Sequence, residues 1–192
     1  MAGGGRPARP LLATPSPQAH ASFLEALAEY QAEGRHLELP ADLLADPAEF
    51  SRYVSALRAE VERPGEPDFY LAELRGEAPP VPWPDGYVPQ SVYWWLAGDE
   101  FIGRIHIRHR LTPHLLEEGG NIGFEVRPSA RRMGHATAML AAALPLAAAL
   151  GIDPARLDCD EDNPASRRVI EKNGGRLVGE ASGVLYFEAP TG

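Results

Sequence analysis

One cysteine, Cys159, stands in 192 residues. An internal disulfide has no second thiol to form with, and a zinc site built from cysteines is excluded in the same stroke. Basic charge is short as well: 18 Lys and Arg against 27 Asp and Glu leave a formal net charge of −9. Nucleic-acid binding needs a broad basic surface, so that class of partner is excluded. An acidic surface favours cationic small molecules or basic peptides. No apolar run reaches the length of a membrane span. The opening MAGGGRPARPLLATPSP has no apolar h-region of a secretory signal. The expectation is a soluble cytoplasmic protein, monomer or homodimer, with neither nucleic acid nor membrane as partner. No internal repeat is visible, and neither a Gly-Lys-Ser/Thr phosphate loop nor a three-glycine dinucleotide fingerprint occurs. The acids of DCDEDN lack calcium-loop spacing, so no metal is expected.

What remains is a chain with 44% hydrophobic residues, enough for a real core. Residues 1–9 read as a disordered tail and 10–192 as one domain. PLLATPS suits a short strand. Ser16–Pro17 reads as a helix start, followed by Phe23, Leu27 and Tyr30 at helical spacing and closed by Gly34. Asp46–Pro47 starts a second helix, with Phe50, Val54, Leu57 and Val61 as its apolar stripe. Residues 64–90, rich in proline, read as an extended loop with Trp83 and Tyr87 packed on the body. Then SVYWWLA, a GDE turn and FIGRIHIRHR form a hairpin. Phe101, Ile105 and Ile107 alternate there with Arg104, His106 and Arg108, one face apolar and one basic. LTPHLLEEGG is a loop and NIGFEVR a third strand. A helix over 129–150 carries Met133, Ala136, Leu140, Leu144 and Ala147 on one stripe, with Pro145 expected to kink or interrupt it. ARLDCD is a strand, Asn163–Pro164 opens a helix closed by Asn173–Gly174, and RLVGEASGVLYFEA is a final strand pair. This order describes a mixed α/β layer protein.

The segment RPSARRMGHATAML poses a question, because a helix start with three arginines opposes its own dipole. An anion bound to the free N–H groups there would resolve the conflict. A solvated arginine cluster is the plainer reading. The same segment resembles the acetyl-CoA-binding stretch of the GNAT superfamily of N-acetyltransferases, whose Arg/Gln-x-x-Gly-x-Gly/Ala is matched by Arg131, Gly134 and Ala136. DCDEDNPASRRVIEKNGGRLVGE resembles the later segment of that superfamily, a strand followed by an Asn-led helix and a glycine. The two together are most similar to a bacterial branch of predicted acetyltransferases with few assigned substrates. The resemblance covers residues 90–188 well and 11–63 loosely. It implies a GNAT-like mixed, largely antiparallel central sheet with helices on both faces. It also implies acetyl-CoA as co-substrate and transfer to a primary amine by direct attack in a ternary complex. A non-catalytic CoA sensor on the same fold is the alternative, and a purely structural domain a second rival.

By that resemblance, backbone N–H groups of Arg132, Met133, Gly134, His135, Ala136 and Thr137 hold the pyrophosphate, beside Arg127 and Arg131. The edge of GFEVR pairs with the pantetheine arm, and an N–H near Glu125 or Val126 polarises the thioester carbonyl. Asn163 and Ser166 match positions that contact the CoA arm, although Asn163 also reads as a helix N-cap. The tyrosine that many members place seven residues after the Asn is Ile170 here; Tyr186 is a possible substitute acid. Glu125 is the first candidate base, or else an ion-pair partner of Arg104 or Arg108. His106 and His109, on opposite strand faces, are the imidazole alternatives. Cys159 shares a face with Leu157 and reads as a core thiol. The acceptor pocket is expected between the N-terminal helix pair, the 64–90 segment and LTPHLLEEGG.

Overall fold

Short capping signals set the element boundaries in the structure, a computed structural model that describes residues 8–81 and 86–192. The Asp46 carboxylate accepts from the N–H groups of Ala48 and Glu49 and starts α3 (Pro47–Ala59), with Pro47 inside the first turn. It follows β1 (Leu11–Ala13), α1 (His20–Ala32) and the one-turn α2 (Ala41–Leu44). Ser16 does precede a helical turn, Pro17–Ala19, but its side chain bonds Gln18 and caps nothing. Gly34, at φ +75°, lies just past the end of α1. Downstream come α4 (Glu66–Arg75), β2 (Gln90–Ala97), β3 (Glu100–Arg108), α5 (Pro113–Glu117), β4 (Ile122–Val126) and α6 (His135–Ala149). The chain closes with β5 (Ala155–Asp160), α7 (Pro164–Lys172), β6 (Arg176–Ala181) and β7 (Val184–Ala189).

The strands form two antiparallel sheets, β1-β2-β3-β4 and β5-β7-β6. They meet where β4 and β5 begin: Asn121 N–H donates to the Arg156 carbonyl, and Arg156 N–H to the Asn121 side chain. Helices cover both faces, so the mixed α/β expectation holds. On one face α1 and α3 pack Phe23, Phe50 and Tyr53 onto Trp94, Leu96 and Phe101. On the other, α6 packs Met139, Leu140 and Ala143 onto Trp95, Ile102, Ile105 and Ile107, together with Leu157, Cys159 and Phe187 of the second sheet. Cys159 is the core thiol the sequence suggests. Among the described residues no helix is long and apolar enough to cross a membrane.

Several expectations are corrected. The 64–90 segment is not all extended, because α4 lies within it. Gly65 in a left-handed conformation turns the chain into this helix, Gly76 ends it, and Tyr70 and Leu71 are buried beneath it. The expected packing of Trp83 falls outside the described residues, as do residues 1–7 of the expected tail. LTPHLLEEGG contains α5, capped by Thr112. Phe101 does not share a face with Ile105. The register shifts between Trp95 and Leu96, leaving Ile102 unpaired, and this bulge turns Phe101 toward α1 and Ile105 toward α6. The helix expected from 129 starts at His135. Arg132 (φ +64°) and Gly134 (φ +87°) interrupt the chain with left-handed backbone that no α-helix continues through. Met133 is accordingly exposed and off the apolar stripe. Pro145 lies inside α6 without interrupting it.

Ile170 is fully buried against Gly175, where an added Cβ would collide with the isoleucine. The position is core. Ile170→Tyr should therefore cost roughly 1–3 kcal/mol by overpacking, or about 2–4 °C in Tm per kcal/mol for a chain of this size. Thermal denaturation followed by circular dichroism checks it, and an unchanged Tm would place the side chain outside the core.

Candidate active site

β4 and β5 start side by side and then diverge. The gap opens into a groove of about 720 Å³ with Phe124, Glu125 and Val126 on one bank and Asp160 and Asn163 on the other. The β3–β4 ladder sets which backbone groups face it. Arg127 N–H donates to Ile102, and Arg104 pairs with Glu125. Strand alternation then turns the N–H and carbonyl of Val126 to the open edge. Arg131 Nε reaches that carbonyl at 3.2 Å.

The N-terminus of α6 stands at the mouth of the groove. Its first intrahelical bond runs from Ala138 N–H to the Gly134 carbonyl. The N–H groups of His135, Ala136 and Thr137 are therefore left over by helix geometry. A Cβ built on Gly134 would meet nothing within 4 Å, so the backbone is open to close approach from the groove side. His135 is held in place by Trp95 Nε1, 3.3 Å from its Nδ1. Arg132, Gly134, His135, Ala136 and Thr137 all line the groove, as do Arg131, Asn163 and Ser166. Asn163 Oδ1 also accepts from Ser166 N–H at 3.1 Å, so the helix cap and the groove position coincide in one residue.

Two residues of the expected set are not there. Arg127 is buried away from the groove, its guanidinium bonded to Glu29 of α1, Ser22 Oγ and the Phe101 carbonyl. It clamps α1 to the sheet, and its burial beside Glu29 is what removes it from a ligand. Met133 points to solvent and does not line the groove. Arg131 does line it, but its charge is met by a two-bond pair with Glu33. The unpaired cations of the groove, among the described residues, are Arg132, Arg168 and Lys172. The last two were missed in the sequence, although Arg168 and Lys172 are four apart on α7 and so share a helix face. A helix start, an unobstructed glycine and three unpaired cations together fit a polyphosphate.

Glu125 faces the groove's far end inside a cluster of charge. Arg104 Nε, Arg35 Nη2 and His36 Nε2 all reach its carboxylate, the last two at 2.7 and 2.9 Å. Burial alone would raise its pKa, but Arg104, His36 and Arg35 hold it down to about 2. The sequence offered Arg104 as a partner; Arg35 and His36 arrive from the turn after α1 and gave no local signal. His106 lies two residues along β3 from Arg104, on the same face. Its Nε2 is buried and has no hydrogen-bond partner among the described residues. Burial, then Arg108 and Arg104, press its pKa down to about 3, so the ring is neutral near pH 7. Gly123 opposite leaves the ring room, since a Cβ there would sit 2.6 Å from Nε2. His109 is turned to Ser91, its Nε2 2.9 Å from Oγ. Tyr186 is tied to the Glu117 carbonyl at 2.8 Å. Among the described residues no group of three His, Cys, Asp or Glu is placed to hold a metal ion.

Beyond this cluster lies a second cavity of about 510 Å³. It is bounded by α3, α4, the basic face of β3 and the segment around α5, the region where the sequence placed the acceptor. Arg104 and His106 line it; Glu125 lines the groove.

A family model for the acetyltransferase (GNAT) domain matches residues 27–176. Three solved structures share the fold. RimJ of Mycobacterium smegmatis, in complex with CoA-disulfide, is 20% identical with a TM-score of 0.57, over 96% of this chain and 86% of its own. An acetyltransferase of Salmonella typhimurium, described as modifying the N-terminal serine of ribosomal protein L7/L12, is 17% identical with a TM-score of 0.52, over 93% of each chain. The microcin C7 self-immunity acetyltransferase MccE, solved with acetyl-CoA and AMP, is 10% identical with a TM-score of 0.54, over 93% of this chain and 91% of its own. No curated protein matches the sequence. The family model spans most of the chain, including both banks of the groove and the start of α6, and the chain belongs to the GNAT acetyltransferase family.

Proposed function

We propose that this protein transfers the acetyl group of acetyl-CoA to a primary amine by direct attack in a ternary complex. One observation carries the reading: the split between β4 and β5 ends under the unpaired N–H groups of α6, with Arg132, Arg168 and Lys172 around it. The helix start and these cations suit the phosphates. The free edge of β4 suits the amide-bearing pantetheine arm, and the outward N–H of Val126 suits the thioester carbonyl as negative charge develops on it. The amine nitrogen forms its bond to the carbonyl carbon, the C–S bond breaks, and CoA leaves as thiolate. The nitrogen's proton passes to a base.

For that base, His106 is better placed than Glu125. Its Nε2 carries no bond to another described residue, whereas Arg104, Arg35 and His36 all bond the Glu125 carboxylate. Glu125 then acts as an anchor that fixes the turn bearing Arg35 and His36 over the end of the groove. A thiolate leaves without a dedicated acid, which agrees with a buried Ile170. Such chemistry needs no metal.

Gly134→Glu should abolish acetyl-CoA binding in calorimetric titration, because side chain and charge enter the phosphate cradle and the left-handed backbone at φ +87° strains any residue but glycine there. Retained affinity in a folded variant would remove the site. Glu125 has its folded pKa below the ordinary carboxylate value. Its contribution to stability is thus complete above about pH 4.5 and is lost as pH falls toward 2. Glu125→Gln should lower Tm at pH 7 and flatten the loss of Tm between pH 4.5 and 2.5. Parallel Tm profiles for the two proteins would show that the ion cluster is not formed.

A further inference from the structure

The second cavity holds a cation whose charge no side chain answers. Arg104, His106 and Arg108 project from one face of β3 into it. Arg104 is neutralised by Glu125. Arg108 is different. Its Nη1 donates to the carbonyls of Gly119 (2.8 Å) and Gly120 (3.1 Å), which fixes the guanidinium plane, and no carboxylate lies within ion-pair distance among the described residues. Asp158 acts on it only from a distance and is itself bonded to Gly119 N–H. Glu38, Asp68 and Glu118 also line the cavity without pairing with Arg108, and the buried Glu60 on its wall is not the counter-ion either. It accepts from Gln90 and Gly65 instead, and burial lifts its pKa to about 7. Two residues away stands His106, the candidate base. A half-buried guanidinium without an anion is costly, and an anionic ligand group beside Arg108 would offset that cost.

We propose that Arg108 forms a subsite for an oxyanion carried by the acceptor, so that the acceptor is an amine bearing a carboxylate or phosphate at its far end. This rests on the reading that transfer takes place beside Val126 and Glu125. Strand rise then sets the length of the molecule: two residues of β3 separate the candidate base His106 from Arg108 and four separate the Arg104–Glu125 pair from it, on the order of 7–13 Å. An α-amino acid is too short to span this. An amine with an apolar spacer fits, because Tyr53, Leu57, Leu71 and Val92 line the cavity. The cavity volume of about 510 Å³ is within the range of small-molecule sites.

The test compares 6-aminohexanoate, 6-aminohexyl phosphate, hexylamine and glycine as acceptors for the wild type and for Arg108→Gln and Arg108→Lys. Acetyl-CoA affinity and circular dichroism serve as folding controls. The expected result is that kcat/KM for one of the two anionic amines exceeds that for hexylamine by about 10- to 100-fold, as a charge-assisted bond gives. Which of the two it is tells carboxylate from phosphate. Arg108→Gln should erase the difference, mainly through KM, and Arg108→Lys should restore part of it. Equal rates for hexylamine and the anionic amines, a preference for glycine, or an equal loss on all acceptors in Arg108→Gln overturns the proposal. If no amine is acetylated, calorimetric titration of the CoA complex with the two anionic amines separates the questions. Binding that Arg108→Gln abolishes keeps the oxyanion subsite and retires the transfer reading; absence of binding retires the subsite. Should Arg108→Gln not fold, Arg108→Lys alone decides, by whether the preference for the anionic amines shrinks.

Discussion

Much of this molecule depends on the way the chain entering β4 is bonded to β5 at Asn121 and Arg156, once through the backbone and once through the Asn121 side chain, before the strands part. Had they stayed paired, two antiparallel sheets would have fused into one closed surface with no edge for a ligand. Parting leaves the outward N–H and carbonyl of Val126 without a strand partner in the middle of the protein, a cost that a bound amide-bearing chain can offset. It also places the start of α6 at the mouth of the gap. The two banks belong to different sheets, which lets them diverge: β4 pairs with β3 and β5 with β7.

Charge holds the N-terminal helices to this frame. Arg127 crosses from the end of β4 to Glu29 on α1, and Arg131 crosses to Glu33 one turn later on the same helix. Glu125 gathers Arg35 and His36 from the turn that follows. Arg127 is buried while its partner Glu29 remains partly exposed. Three consecutive contacts along the end of one helix therefore register it against one strand. The groove and the second cavity meet at the same place, divided by the Arg104–Glu125 pair.

Where a boundary signal is local and polar, the sequence is legible. Asp46–Pro47 and Asn163–Pro164 cap α3 and α7 as expected, and Gly34 lies past the end of α1. Where a boundary depends on backbone conformation at a residue that usually avoids it, the sequence misleads. Arg132 takes a left-handed conformation, so the helix expected from residue 129 starts at His135. Proline density hid α4, although Pro67 sits in the first turn of that helix, where a missing N–H costs nothing. Ile102 shows a third kind of failure. Strict alternation cannot reveal a bulge, and one unpaired residue exchanged the faces of Phe101 and Ile105.

The sequence by itself determined the α/β class, the β2–β3 hairpin and the final strand pair, because each follows from spacing and turn signals within a few residues; the place of Gly134, Ala136, Asn163 and Ser166 beside a ligand is what the GNAT resemblance implied. Only the tertiary structure decided that Arg127 is a clamp, that Glu125 is held by Arg104, Arg35 and His36, that Arg168 and Lys172 join the groove, and that Arg108 stands without an ion-pair partner among the described residues in the second cavity. A side chain's role as counter-ion, ligand or core depends on which distant group it meets. Glu29, Arg35 and Arg108 acquire their neighbours through contacts that no local pattern encodes.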